Sequence, residues 1–134
     1  MSKIKVSIIG ATGYTGIELL KILIQHPYVE IKYLTAGSSE GKISDHYPHF
    51  KNICDITLSK ISPEKLAQES DTIFLALPHG ESKKIIPEII GKSKIIDLGN
   101  DYRLKKSFTY GVPEIYKKEI AKSQNVANPG CFAI

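Results

Sequence analysis

The chain has 134 residues, the size of one ordinary domain. Hydrophobic residues make up 42% and charged residues 24%, a globular rather than a disordered composition. No apolar run approaches the roughly 20 residues that span a bilayer, and no secretory leader pattern is seen, so we expect a cytoplasmic protein without a membrane partner. The net charge is +4, but basic and acidic residues are interspersed, which argues against nucleic acid as a partner.

Cysteine and arginine are scarce in this sequence. Cys54 and Cys131 lie far apart and form no CxxC pair, so we predict neither a disulfide framework nor a metal site. Of the 18 basic residues, only Arg103 is an arginine. A chain that otherwise uses lysine keeps arginine where a planar, bidentate donor is needed, or keeps it by chance.

Runs of strand and helix character alternate along the chain. The β-branched runs predict strands over 4–9, 29–34, 53–58, 72–77, 93–98 and 125–127. Helical spacing predicts helices over 14–25, 81–90 and 113–121, and a further helix with Ser62 as N-cap and Pro63 at its first position. Gly91 suits a C-terminal cap, and 35–50 reads as loop. The alternation predicts an α/β, Rossmann-like, doubly wound, mostly parallel sheet with helices on both faces.

A glycine-rich loop joins the first strand to the first helix. Gly10 permits a sharp turn, Gly13 permits close approach of a pyrophosphate, and Gly16 permits the helix to pack closely. The N–H groups at the helix start then favour phosphate. We predict dinucleotide binding, with a purely structural turn as the alternative; the predicted cofactor-binding residues are Gly10, Thr12, Gly13, Tyr14, Thr15 and Gly16.

The choice of cofactor depends on the end of the second strand. An acidic residue there would bind the ribose 2′-hydroxyl of NAD, but none occurs before Glu40. Ser38, Ser39 and Lys42 can instead receive a 2′-phosphate, which favours NADP(H). The alternative is that these residues form an ordinary solvated loop.

Cys131 follows the turn Asn128-Pro129-Gly130, where we expect a helix to begin. A helix N-terminus lowers the pKa of a thiol, and a thiolate can attack an activated carbonyl to form a thioester. Beside a nicotinamide, this chemistry leads to reduction of an acyl group to an aldehyde. The alternative is a buried thiol that only packs, which is our interpretation of Cys54.

Five runs carry a resemblance along the whole chain: GATGYTGIELL (10–20), ALPHG (76–80), IDLGNDYRL (96–104), YGVPE (110–114) and ANPGCFA (127–133). In this order and spacing, the chain resembles the N-terminal portion of the N-acetyl-γ-glutamyl-phosphate reductases, members of the aspartate-semialdehyde dehydrogenase-like superfamily. The resemblance implies NADPH-dependent reduction of N-acetylglutamyl 5-phosphate to the 5-semialdehyde in arginine biosynthesis, with Cys131 as the catalytic nucleophile.

The resemblance also carries over residues outside the glycine loop. It implies that Leu77, Pro78, His79 and Gly80 border the cofactor, although His79 can be only a turn residue. It implies that Arg103 donates to a phosphate or carboxylate of the substrate, against a structural salt bridge to Asp97 or Asp101. It places Glu114 near the catalytic region, against a simple charge at a helix start.

The chain departs from the family in three places. Gly37 stands near the position where the family often has arginine, which weakens the NADP prediction. Ile134 stands where the family tends to have threonine. Family members are more than twice as long, so we expect 1–134 to be an NADP-binding domain whose catalytic and dimerisation domain is absent. The whole enzyme is expected to be a homo-oligomer, and this truncated chain to be inactive alone.

Two other enzymes and one non-enzyme remain open. The enzymes are the aminoadipyl-phosphate reductase of lysine biosynthesis and aspartate-semialdehyde dehydrogenase, both of which act on small acyl phosphates. The third possibility is a non-catalytic NADP-binding module.

Overall fold

The computed structural model describes residues 2–131. Within them, six strands form a single sheet. Their bounds are β1 Ile4–Ile9, β2 Val29–Thr35, β3 Thr72–Leu75, β4 Lys94–Asp97, β5 Thr109–Tyr110 and β6 Asn125–Ala127. The helices are α1 Tyr14–Leu23, α2 Ile43–His46, α3 Pro63–Gln68, α4 Ser82–Ile89 and α5 Pro113–Lys122, with a 3₁₀ turn over Pro48–Phe50. No helix among these residues is long and apolar enough to cross a membrane.

The sheet has the order β2-β1-β3-β4-β6-β5, and every pair of neighbours is parallel. The chain leaves β1 for β2 on one side and later returns to place β3 on the other side of β1. The order therefore reverses between β1 and β3, which is the switch point where open α/β sheets bind ligands. The carboxyl ends of all six strands lie along the same edge of the sheet.

Helices cover both faces of the sheet, and the central strand β1 is therefore buried on both sides. In β1, Ile8 belongs to one hydrophobic cluster and Ile9 to the other, as expected for neighbouring residues of a strand. The first cluster includes Ile17 and Leu20 of α1. The second includes Leu66 of α3 together with side chains of α4. This arrangement confirms the doubly wound α/β fold predicted from the sequence.

Several local predictions are also confirmed. The Ser62 hydroxyl accepts a hydrogen bond from the N–H of Lys65, so Ser62 is the N-cap of α3. Gly91 has a φ of +82°, as a C-terminal cap requires. Cys54 is 6% exposed in the first core cluster, and burial raises the pKa of its thiol.

Other local predictions are wrong. The region 35–50 is not simply a loop, because it contains α2 and the 3₁₀ turn, which bury Ile43 and Phe50. The strand predicted over 53–58 is reduced to one antiparallel bridge between Lys42 and Thr57. The strand β5 was not predicted, because its two residues are too few to form a recognisable sequence pattern. Helix α1 ends at Leu23 rather than at residue 25, and α4 covers Ser82–Ile89 rather than 81–90. Differences of one or two residues are usual at helix ends.

Candidate functional site

The glycine loop lies where β1 ends, and two of its glycines are required by packing. Gly10 has a φ of +93°, and a Cβ on it would overlap the carbonyl oxygen of Ala76. A Cβ on Gly16 would overlap the carbonyl oxygen of Gly10. The sharp turn and the close helix packing predicted for these glycines are therefore present in the structure.

Gly13 is different, because neither conformation nor packing requires a glycine there. Its φ is −75°, and the nearest atom to an added Cβ is the Gly10 carbonyl oxygen at 3.9 Å. Gly13 is also exposed and serves as the N-cap of α1 without a side-chain cap. A bound molecule that must approach the backbone closely would explain why this position is a glycine.

The start of α1 is suited to an anion. Its first N–H groups, at Tyr14 and Thr15, have no intrahelical acceptor. The first turn contains no acidic side chain, and Tyr14 and Thr15 are both exposed. The helix therefore presents free donors and a partial positive charge at the switch point.

A cleft of about 250 Å³ opens at this point. It combines the helix start with the segments that follow β3 and β4, and its lining residues are Gly13, Tyr14, Thr15, Ala76, Leu77, Pro78 and Leu98. The backbone holds these segments together, since Ala76 N donates to Ile9 O at 2.8 Å and Leu98 N donates to Leu75 O at 2.9 Å. Five of the residues predicted to bind the cofactor thus line one cleft.

Tyr47 supports the glycine loop, a role that no local sequence pattern indicates. Its hydroxyl donates to the carbonyl oxygen of Thr12 at 2.6 Å, across 35 positions of the chain. Tyr47 is half-buried at the end of α2. The region first interpreted as a loop therefore fixes the backbone of a predicted cofactor-binding residue.

Ser38 and Ser39 lie apart from the cleft, on the turn that follows β2. Ser39 N donates to Ala36 O at 2.9 Å, and Gly37 within this turn has a φ of +53°. Neither serine hydroxyl makes a hydrogen bond within residues 2–131. Lys60 was not predicted here, yet its ammonium group contacts the carbonyl oxygens of Gly37 and Ser39.

His79 and Gly80 follow the cleft but do not line it. His79 is exposed, and Gly80 has a φ of +89° in the turn that leads into α4. The Asp101 carboxylate accepts hydrogen bonds from Gly80 N at 2.9 Å and Lys83 N at 3.1 Å. Asp101 thus caps α4 and fixes the turn that contains His79.

Arg103 binds backbone carbonyls. Its Nε donates to Asn128 O at 2.8 Å, and its Nη2 donates to Leu98 O at 3.3 Å. A Cβ on Gly130 would lie 3.1 Å from Nη1, so the guanidinium covers that glycine closely. Among the described residues Arg103 forms no salt bridge, so the alternative interpretation, a structural pairing with Asp97 or Asp101, is not seen. The guanidinium keeps further N–H donors beyond these two bonds.

Asp97 lies at the end of β4 and is fully buried. Its Oδ1 accepts from the Ser82 hydroxyl at 2.7 Å and from Gly99 N at 3.0 Å. These bonds hold the start of α4 against the turn after β4. Oδ2 has no hydrogen-bond partner among residues 2–131.

Cys131 lies at the same carboxyl edge, four positions after the end of β6. It is exposed and its thiol is free. The backbone before it is ordered by Asn128 N, which donates to Asp97 O at 2.8 Å, and by the Arg103 bond to Asn128 O. The helix expected to begin at Cys131 would continue into 132–134, which lie outside the described residues.

Glu114 lies in the first turn of α5, beside Pro113 at the first helical position. It is exposed and does not line the cleft at the switch point. This position agrees with a charge that favours a helix start. No group of three or more potential metal ligands is found in the described part of the chain.

Comparison with known proteins defines the class. The family model described as "Semialdehyde dehydrogenase, NAD binding domain" matches residues 5–123. The chain belongs to this family of NAD-binding domains, in agreement with its glycine loop and sheet order.

The curated relatives are more specific. The N-acetyl-gamma-glutamyl-phosphate reductase of Thermoanaerobacter pseudethanolicus is 43% identical, over 96% of this chain and 43% of its own length. The enzyme of the same name from Karelsulcia muelleri is 44% identical, over 97% of this chain and 42% of its own length. The predicted resemblance is confirmed, and the chain spans about two fifths of these relatives.

Solved structures agree on the fold. Aspartate semialdehyde dehydrogenase with NADP from Candida albicans matches with a TM-score of 0.78 and 22% identity, over 97% of this chain and 43% of that chain. Aspartate semialdehyde dehydrogenase II complexed with ASA from Vibrio cholerae matches with a TM-score of 0.76 and 20% identity, over 97% of this chain and 42% of that chain.

Proposed function

We propose that this chain binds NADP(H) and supplies the cysteine nucleophile of an N-acetyl-γ-glutamyl-phosphate reductase. The convergence of the α1 start, the 76–78 segment and Leu98 on one cleft carries the cofactor proposal. The identity of 43% to a reductase of this name supports the substrate. Residues 1–134 would then be the cofactor-binding domain of a homo-oligomeric enzyme.

The residues present fit a dinucleotide. Gly13 has no side chain that would block the approach of a pyrophosphate to the backbone. The first turn of α1 contains no acidic side chain, so its N–H groups are suited to bind the phosphates. Leu77, Pro78 and Leu98 supply an apolar wall, which suits the nicotinamide side of such a cofactor. When bound, NADPH would supply the hydride for reduction of an acyl group.

Cys131 would perform the acyl transfer. Its thiolate attacks the carbonyl carbon of the acyl phosphate, a C–S bond forms, and the C–O bond to phosphate breaks with release of inorganic phosphate. Reduction of the resulting thioester gives the aldehyde and returns the thiol. Exposure of Cys131 at the carboxyl edge, along which the cofactor cleft also lies, supports this role.

Arg103 would position Cys131 and contact the substrate. Its bonds to Leu98 O and Asn128 O connect the segment that lines the cleft to the segment that contains the thiol. The remaining N–H donors of its guanidinium suit the phosphate or carboxylate of the substrate. His79 and Glu114 remain proposed neighbours of the cofactor and of the substrate.

A chimera tests this function. The chain replaces the matching 43% of the Thermoanaerobacter relative, and NADPH oxidation with N-acetylglutamyl phosphate is measured. We expect turnover within the ordinary range of about 1–1,000 s⁻¹. Cys131→Ser should lower kcat by roughly 10³-fold or more, whereas Cys54→Ser should leave kcat close to that of the parent chimera.

The 134-residue chain alone is expected to bind NADPH without reducing the acyl phosphate. A chimera that folds but turns over aspartyl or aminoadipyl phosphate faster would contradict the proposed substrate. Full activity of Cys131→Ser would contradict the proposed nucleophile.

A further inference from the structure

The turn after β2 lacks a large side chain where a cofactor's ribose would lie. Gly37 has a φ of +53°, and an added Cβ there would meet nothing within 4 Å. The turn closes through Ser39 N, which donates to Ala36 O at 2.9 Å. In dinucleotide-binding folds, the ribose 2′ group is recognised near the end of this strand.

A second segment brings a cation to this turn. Ser59 N donates to Leu34 O at 2.8 Å, and Leu58 N donates to Gly41 O at 2.8 Å. These two bonds attach 58–59 to the end of β2 and to the far end of the turn. The next residue, Lys60, is therefore delivered to the turn by backbone hydrogen bonds.

The Lys60 ammonium lies over the backbone of the turn. Nζ donates to Gly37 O at 3.3 Å and to Ser39 O at 3.1 Å. An ammonium group has three donors, so one remains after these bonds. The nearest carboxylate oxygen, on Glu40, is 3.9 Å away, and both side chains are well exposed, at 51% and 81%.

We propose that Lys60 is the residue that binds the 2′-phosphate of NADP(H) and thereby sets preference for NADP(H) over NAD(H). The inference rests on the proposed cofactor binding and adds a residue that determines its specificity. The remaining donor of Nζ and the hydroxyls of Ser38 and Ser39, which are unpaired within residues 2–131, would receive the phosphate oxygens. Lys60 would supply the positive charge that Gly37 does not.

Lys42 is a weaker candidate than its position in the sequence suggested. The backbone N–H of Lys42 donates to the Asp45 carboxylate at 2.8 Å, and its backbone pairs with Thr57 in an isolated bridge. Within the described residues, its ammonium group makes no hydrogen bond to the 36–39 turn. Lys60 makes two.

The test measures dissociation constants of NADPH and NADH for the 134-residue chain by titration calorimetry. Lys60→Met keeps most of the aliphatic stem and removes the charge. We expect at least a tenfold loss of NADPH affinity and less than a twofold change for NADH. Lys118→Met, on an exposed face of α5, removes the same charge elsewhere and should change neither value by more than about twofold.

Glu40→Gln sharpens the test, because it removes the carboxylate that competes for Lys60. We expect it to tighten NADPH binding by about twofold to fivefold and to leave NADH binding unchanged. As a second probe, 2′,5′-ADP should compete more weakly with Lys60→Met than with the unaltered chain, whereas 5′-ADP should compete equally with both.

Each other outcome overturns the inference in a distinguishable way. Equal loss of NADPH and NADH affinity in Lys60→Met would make Lys60 a structural contact of the turn. Selective loss in Lys42→Met but not in Lys60→Met would assign the phosphate to Lys42. Equal binding of both dinucleotides by the unaltered chain would refute the specificity alone. Binding of neither dinucleotide would refute the proposed cofactor function as well.

Discussion

The carboxyl edge of the sheet has two halves that are built differently: the first half lies around β1 and α1, and the second half lies around β5, β6 and α5. Around β1, the helix α1 buries Gly16, Ile17, Leu20 and Leu23 against the sheet. Around β5, the helix α5 buries no residue, and Tyr116 within it has non-helical angles. The helix beside the proposed cofactor site is therefore fixed by buried side chains, whereas α5, beside the segment that contains Cys131, contributes no buried side chain.

Exposed apolar side chains occur in both halves, and in the first half Tyr14 is 92% exposed and Ile22 66% exposed. Leu104 is 99% exposed and Ile115 69% exposed, both in the second half. A cavity of about 530 Å³ opens there, lined by Asn100, Arg103, Leu104, Tyr110 and Tyr116. Large apolar side chains grouped at a cavity are typical of a surface that another part of a protein covers. The proposed nucleophile, Cys131, lies in this half.

Glycine substitutions in the first half should separate packing from binding. Gly16→Ala places a Cβ onto the Gly10 carbonyl oxygen, so we expect a loss of about 2 kcal/mol or more in unfolding free energy. Gly13→Ala meets no such contact and should change stability by less than about 1 kcal/mol.

The same pair of variants is compared in NADPH titration. We expect Gly13→Ala to weaken NADPH binding by about tenfold while the fold remains intact. Urea unfolding and calorimetry measure the two quantities. A stable Gly16→Ala, or a Gly13→Ala that binds NADPH normally, would remove the distinction between a packing glycine and a binding glycine.

The sequence predicted the elements with a clear local pattern better than the elements that depend on tertiary contacts. Strands such as Ile4–Ile9 and the amphipathic helix at Tyr14–Leu23 are local patterns, and Gly10 and Gly16 have steric roles that a short motif expresses. The two-residue strand β5 is stabilised by pairing with β6, and no local pattern could reveal it.

The site residues that sequence reasoning missed depend on distant contacts. Tyr47 reaches Thr12 across 35 positions, and Lys60 reaches Gly37 across 23. Asp101 belongs to the IDLGNDYRL run, but its role as the cap of α4 follows only from the placement of Gly80 N and Lys83 N. A motif shows which residues are unusual, and the tertiary structure shows which backbone groups they meet.

Arg103 joins two segments of the second half through hydrogen bonds to Leu98 O and Asn128 O, so its substitution should lower the stability of that half. Arg103→Met keeps the stem but loses both bonds to carbonyl oxygens, so we expect a loss of about 1–2 kcal/mol in unfolding free energy. Leu104→Ala, at a neighbouring side chain that is 99% exposed, should change stability by less than about 0.5 kcal/mol. Urea unfolding measures both. Equal effects of the two variants would show that Arg103 does not hold this half together.

The two cysteines report on the two halves, because one thiol lies in each. Cys54 is 6% exposed, and Cys131 is exposed. Iodoacetamide at pH 8 should modify Cys131 at least about tenfold faster, since Cys54 reacts only after the core opens. Mass spectrometry of the peptides after timed quenching measures the two rates, and Cys131→Ser should leave only the slow reaction.

Cys54 also gives the first half a dependence on alkaline pH. Burial raises the pKa of its thiol above the ordinary value of 9.0, so the folded state holds this proton more tightly than the unfolded state. The stability contributed by the neutral thiol is complete below about pH 9 and is lost as pH rises from there through the folded-state pKa. Unfolding free energies at pH 8 and pH 10 should therefore differ less in Cys54→Ala than in the unaltered chain. Cys131→Ser should reproduce the unaltered difference, and an equal reduction in both variants would mean that burial of Cys54 does not cause the effect.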